Sequence, residues 1–282
     1  MTSSLYLVAA AAVVLFVLER LFPLRRPKSR LASRLVVNAA VSATAIATGF
    51  LIVTPVAASL LLRVSQNEWG LTRLLSANAI LQGVVAFLLL DLSFYYWHRA
   101  NHAWPILWRF HNAHHIDPDL DVTTAVRFHF VEIGFSAAFR ALQVIVIGGP
   151  PSAFVAYEIA FQLNTLFHHS NVRLPLRAER LLNLFLVTPR MHGIHHSERF
   201  HEMNSNWSSV FSWWDRIHGT LRLNVPQSQI RIGVAGYARP QDNTVRAVLA
   251  MPFRRQRDYW HDPHHEAPLE REGAEASTRL AE

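Results

Sequence analysis

The sequence predicts an all-α, polytopic membrane protein: about four to five transmembrane or hairpin helices and a cytoplasmic helical cap rich in histidine. Three observations carry that prediction. Apolar runs of membrane-spanning length follow one another from the N-terminus to about residue 167. Over 282 residues the chain is 51% hydrophobic and only 17% charged, with a positive mean hydropathy, unlike an average soluble protein. Ten of its 16 histidines fall in two clusters that begin where apolar runs end.

Residues 5–22 form the first run. Positive charge follows this run rather than preceding it, and no small-residue cleavage site stands out, so it reads as an uncleaved membrane helix and not a signal peptide. Residues 23–34 hold Arg25, Arg26, Lys28, Arg30 and Arg34, a short basic loop of the kind retained in the cytoplasm. Residues 35–62 are long enough to span with tilt or to bend near Pro55. After a short polar loop, residues 74–97 return to the cytoplasmic side, which places His98 and everything chemical after it there. Residues 131–147, the turn Gly148-Gly149-Pro150-Pro151 and residues 152–167 read as a hydrophobic hairpin. It delivers His168 and His169 to the same side. From Asn171 the chain holds amphipathic stretches suited to the bilayer interface. After about Ala267 it turns acidic and small, the composition of a disordered tail.

Two classes of chemistry drop out. Cysteine is absent, which removes disulfides, thiolate metal sites, iron–sulfur clusters and thiolate haem ligation. The net charge of +7 comes with no basic run interleaved with aromatics, so no nucleic-acid partner is expected. Basic loops facing anionic lipid account for it more simply.

The histidines follow helical spacing. His98 and His102 are an i, i+4 pair. Pro105 suits the first turn of a new helix, on which His111, His114 and His115 form an i, i+3, i+4 set. The same set returns as His192, His195 and His196, just after Thr188-Pro189, an N-cap followed by proline at N1. A short helix with three imidazoles on one face is half of a metal cage. Two such helices, the H-x3-H pair and His169 supply enough nitrogen for two metals, and imidazole suits iron, zinc, copper or nickel.

The words H-R-A-N-H, W-R-F-H-N-A-H-H, H-H-S-N and M-H-G-I-H-H, with the flanks DLSFYYWHR and NSNWSSVFSWWDRIHGT, resemble the histidine boxes of the fatty acid hydroxylase/sterol desaturase superfamily. These are integral membrane di-metal oxygenases, and the likeness covers roughly residues 88–221. The resemblance implies metal ligands at His98, His102, His111, His114, His115, His169, His192, His195 and His196. His168 joins the candidates although its place is often not histidine in the superfamily. It implies two non-haem iron ions, O2 as co-substrate, hydrogen abstraction from an unactivated C–H bond, and then either hydroxyl transfer or a second abstraction giving a double bond. It further implies membrane-anchor helices over residues 1–73, the catalytic domain over 74–225, and a C-terminal cytoplasmic segment with a disordered tail over 226–282. The implied location is the cell inner membrane, with a lipid substrate taken from the bilayer: sterol-like, fatty acyl or related. Neither an H-P-G-G haem word nor a G-x-G-x-x-G flavin word is present, so a separate ferredoxin or cytochrome donor is expected.

Other polar residues stand near these boxes. His129 reads as a ligand or as a donor behind one. Asp91, seven residues before His98, is placed to accept an imidazole N–H or to pair with an arginine. Glu158 and Gln162 share the face of His169, as functional groups or as interhelical glue. Asn206 and Asp215 read as structural or as supports behind the ligands. His201 and His218 read as ordinary, and His261, His264 and His265 as solvated. Trp97, Trp104, Trp108, Phe110 and Phe128 suit an interfacial belt better than a substrate channel. Two rival functions stay open: a membrane zinc hydrolase and a non-enzymatic metal-binding membrane protein. The first lacks H-E-x-x-H, and nine histidines exceed what one zinc uses. Transport would place ionisable residues along the spans, whereas most histidines here sit at or beyond their ends.

Overall fold

Leucine, valine and alanine dominate the first 103 residues, and they fold into long helices whose apolar side chains face outward. The computed structural model describes residues 2–75 and 78–260, and among these every regular element is helical. Helix α1 spans Thr2–Leu21. Helix α2 (Leu31–Thr48) continues through a π turn at Gly49–Val53 into α3 (Thr54–Asn67). Pro55 has no amide to give the ladder, and the widened turn immediately before it absorbs the mismatch.

Helix α4 (Ala79–Ala103) opens on Asn78, whose side chain accepts the Leu81 amide at 3.0 Å. It ends where Trp104 takes an extended backbone ahead of Pro105, and Pro105 starts α5 (Pro105–His115) at its first position. Helices α6 (Phe130–Ile147) and α7 (Pro151–His169) flank a turn in which Gly148 and Gly149 both adopt positive φ. A β-carbon on Gly148 would lie 2.2 Å from the Trp69 carbonyl oxygen, so this turn requires glycine. Short helices complete the fold: α8 (Leu176–Leu182), α9 (Pro189–His195), α10 (Phe200–Met203), α11 (Trp213–Ile217) and α12 (Val245–Ala250).

Among the described residues, four helical segments are long and apolar enough to cross a membrane: Ser4–Leu21, Leu31–Leu74, Ala79–Ala103 and Phe130–Ile147. Their outer faces suit hydrocarbon rather than water, with Leu51 77% and Ile80 79% exposed. The second run thus continues helically past Pro55. Helix α4 is central and packs against α5, α6 and α7. Helices α2 and α3 lie along α6, and α1 lies against α7. The last two turns of α4, all of α5, the end of α7 and α9 meet at one end of this bundle. Every candidate ligand histidine sits there.

A buried ionic strap holds the loop after α5 to the first two helices. Arg34, 4% exposed on α2, donates from Nε to Asp117 at 2.6 Å, and from Nη1 to Asp121 at 2.5 Å. Arg127, fully buried, donates to the Ala113 carbonyl on α5 and to Asn38 on α2. Glu19 of α1 accepts the Val122 and Asn171 amides at 3.1 and 2.8 Å. A buried pair is costly to break because one partner is left charged without compensation. Arg34→Ala should therefore lower the stability of the detergent-solubilised protein by about 3–5 kcal/mol. Thermal melting beside the more exposed Arg30→Ala, expected to change little, checks this.

Candidate metal centre

Helix periodicity does the first part of the assembly. On α4 the i, i+4 spacing puts His98 and His102 on one face, with ring centroids 5.2 Å apart. On α5, His111, His114 and His115 cover the face that meets α4 and α9, and α9 returns His192, His195 and His196. The structure brings nine histidines into two groups. His98, His102, His111, His115 and His195 form one; His114, His169, His192 and His196 form the other. Within each, the candidate ligand atoms all lie within 4.8 Å of one another. The groups abut, since the rings of His115 and His196 stack at 4.3 Å.

Backbone and carboxylate acceptors orient these rings. His98 Nδ1 donates to the Trp207 carbonyl at 2.8 Å, and His195 Nδ1 to the Ser205 carbonyl at 2.8 Å. His169 Nδ1 donates to the Thr165 carbonyl at 2.8 Å, and His111 Nδ1 to Glu132 Oε1 at 2.7 Å. With Nδ1 carrying the proton, each Nε2 turns a lone pair inward.

The donor set fits metal ions. In the four-histidine group, Nε2 atoms approach at 3.1 Å (His114–His169), 3.0 Å (His169–His192) and 3.1 Å (His192–His196). In the other, Nε2 of His102, His111, His115 and His195 are buried without any hydrogen-bond partner. Protons do not resolve this crowding. Burial, then the neighbouring imidazoles, hold His114, His115, His192 and His196 well below the ordinary range, and burial pushes His195 down to about 3. Neutral imidazoles aimed at shared points are what a divalent cation needs. Trp108 covers one side, packing on His102 and His115, and Phe128 stacks on His114 at 4.4 Å, so neither stands in an interfacial belt. Trp104, 60% exposed, does suit one.

Comparison with known proteins now has a site to explain. Residues 83–220 match the fatty acid hydroxylase model. That stretch holds all nine histidines. Residues 83–220 form a fatty acid hydroxylase domain. The chain is 31% identical to the ornithine lipid hydroxylase OlsE of Rhizobium tropici over 62% of this chain and 51% of that protein. It is 33% identical to human alkylglycerol monooxygenase over 48% of this chain and 29% of that protein. With human cholesterol 25-hydroxylase it shares 28% identity over 48% of this chain and 49% of that protein. The chain thus spans about half the length, or less, of the curated relatives it matches. No solved structure matches it.

Not every candidate enters this fatty acid hydroxylase centre. His168 belongs to neither group; its ring packs on His192 at 4.1 Å and its Nδ1 lies 3.3 Å from Asn164 Nδ2. His129 caps α6, accepting the Val131 amide on Nδ1, while Nε2 meets the Leu249 carbonyl at 3.2 Å. Asp91 takes neither an imidazole nor an arginine: it accepts the Val210 and Phe211 amides and the Trp214 indole N–H. Glu158 meets Arg140 and Gln162. Asn206, at φ 57°, donates to the Met191 and Arg222 carbonyls. Asp215 accepts the Trp207 and Ser208 amides. Asp91, Asn206 and Asp215 thereby fix residues 205–222, which supply the acceptors for His98 and His195. His201 packs on Phe200, and His218 stacks on Tyr95 and meets the Tyr96 hydroxyl. His261, His264 and His265 fall outside the described residues.

Glu132 escaped the sequence reading, because nothing in one sequence links a carboxylate on α6 to a box on α5. Gly193 did as well. A β-carbon there would lie 2.1 Å from Arg25 Nη1, and Arg25 is held by Gln227 Oε1 at 2.6 Å and the Pro189 carbonyl at 3.3 Å. A side chain at Gly193 would push the Arg25 guanidinium out of these bonds.

Two outcomes follow for the purified protein. Glu132→Gln should bind metal roughly 10–100-fold more weakly with the fold intact, read by competition with a chelator and by circular dichroism. Gly193→Ala should cost about 1–3 kcal/mol through overpacking, and Arg25→Ala in the same chain should recover part of the lost melting temperature.

Proposed function

We propose that this protein is a membrane di-iron oxygenase that hydroxylates a lipid, using O2 and two electrons from a separate donor. One observation carries the reading: nine imidazoles, eight of them buried and His102 partly so, meet in two adjoining groups at the ends of apolar membrane-length helices, inside a fatty acid hydroxylase domain. His98, His102, His111, His115 and His195 would hold one iron, and His114, His169, His192 and His196 the other. When bound, the metals would supply O2 activation strong enough to attack an unactivated C–H bond. Relatives named hydroxylase or monooxygenase favour oxygen insertion over desaturation, and the three names above all refer to lipids or to alkylglycerol and cholesterol.

The chain's own residues bind, orient and dry the site. Glu132 and the carbonyls of Thr165, Ser205 and Trp207 hold the imidazole rings in one tautomer. Trp108 and Phe128 shield them from water, which strengthens every electrostatic interaction inside. We take residues 74–225 as the catalytic unit and residues 1–73 as the anchor. A cytoplasmic active site in the inner membrane is supported by the position of the basic loop. Arg25, Lys28 and Ser29 hydrogen-bond to Pro189, Gln227 and Asp119, so that loop and the histidines share one end of the bundle. The external donor is taken to be of ferredoxin or cytochrome type.

Metal analysis and lipid mass spectrometry test the reading together. Purified protein should carry two irons per chain, and with reductant should add one atom of isotopically labelled O2 to a lipid from host membranes. His114→Ala and His195→Ala, one in each group, should lose iron and product while still inserting. Stoichiometric zinc in place of iron, or product formed without O2, would overturn it.

A further inference from the structure

The basic loop and the C-terminal segment enclose a groove of about 880 Å3 that none of the nine histidines lines. Its rim carries Lys28 and Arg30 from the loop before α2, and Arg231 and Arg239 from the segment opposite. Glu198 is the acid among the lining residues, and it pairs with Arg231 at 2.8 Å. Four cations against one acid leave a formal charge of +3 on that rim; Arg34 also lines the groove but is engaged by Asp117 and Asp121. Lys28, Arg30 and Arg239 have no ion-pair partner among the described residues, and all three are exposed. Loss of hydration lowers the Lys28 pKa from the ordinary lysine value, Glu198 and Asp119 draw it back up, and the like charge of Arg231 adds to the lowering.

Apolar side chains line the groove as well. Val36, Val37 and Val245 line it together with Ile116 and Val234. Val36, 65% exposed, lies one turn and a half into α2, within a membrane-length helix. The groove thus combines an excess of cations over acid with the exposed apolar face of a membrane-length helix. A free anion satisfies the rim and leaves the apolar part wet; a neutral lipid covers the apolar part and leaves the cations facing one another. An anionic amphiphile satisfies both.

We propose that this groove binds a membrane phospholipid through the phosphodiester of an anionic headgroup, with an acyl chain lying along α2. The site is separate from the metal centre, so it stands or falls apart from the oxygenase reading. Such a lipid clasps residues 231–245 to the first membrane helices.

The test uses the full chain in phosphatidylcholine nanodiscs, with binding of a fluorescent phosphatidylglycerol as the readout. Binding should saturate and should resist millimolar inorganic phosphate. Each lost cation near an anionic lipid surface is worth about fivefold, so Lys28→Gln/Arg30→Gln/Arg239→Gln should weaken binding by on the order of a hundredfold. Arg254→Gln/Arg255→Gln, which removes two exposed cations outside the groove, should not. Equal weakening by both variants would reduce the effect to general surface charge, and displacement by phosphate would make the occupant a free anion; either overturns the proposal. Should the triple variant melt early in pure phosphatidylcholine, Arg239→Gln alone must weaken binding about fivefold, and unchanged binding would overturn it too.

Discussion

Lone pairs on neighbouring imidazoles repel, and this fold presses nine of those rings together, eight of them buried. His169 Nε2 sits about 3 Å from two other Nε2 atoms, with its own proton committed to the Thr165 carbonyl on the far side of the ring. Burial resists protonation of His114, His169, His192 and His196, so in that group the relief of charging one ring is closed. Such an arrangement survives only if the surrounding structure is stiff enough to hold it or if cations enter it. Both conditions shape the rest of the molecule.

Stiffness comes from groups that never point at the cluster. Asp91 lies in the middle of a long apolar helix, where a carboxylate is expensive, and it gathers two backbone amides and an indole from residues 210–214. Asp215 fixes the neighbouring turn through the Trp207 and Ser208 amides, and Asn206 spans from Met191 to Arg222. Segment 205–222 is irregular, yet it supplies the carbonyls that orient His98 and His195. Asn206 and Asp215 act as a frame because their side chains are satisfied; one missing partner would leave an uncompensated dipole beside the histidines.

Much of this was legible in the sequence because helical spacing is a local property. The i, i+3, i+4 sets on α5 and α9 follow from residue numbers alone, and Pro105 and Pro189 mark where both helices begin. The apolar runs gave the spans for the same reason. What stayed hidden is pairwise and distant. Asp91 is seven residues from His98 and shares its helix face, but its partners lie about 120 residues further on, so sequence spacing suggested the wrong neighbours. Glu132 and His111 occupy different helices. The acids Asp117, Asp119 and Asp121 alternate directly after a histidine box, and a basic loop precedes α2; that pattern of opposite charge was visible, although nothing in one sequence says that the two meet.

That meeting ties membrane topology to the metal centre. The cations of residues 25–34 bias their loop towards one side of the bilayer. The same residues are built into the site: Arg25 lies against Gly193 between two candidate ligand histidines, and Arg34 holds the loop that leaves His115. The backbone amides of Lys28 and Ser29 are bound to Asp119 as well. A loop on the opposite face of the membrane could make none of these contacts, and it would leave Asp117, Asp119 and Asp121 buried without counter-charge. The basic loop and the hydrogen bonds that set α5 and α9 are therefore one constraint, and the imidazoles converge only where that loop lies at the same end of the bundle.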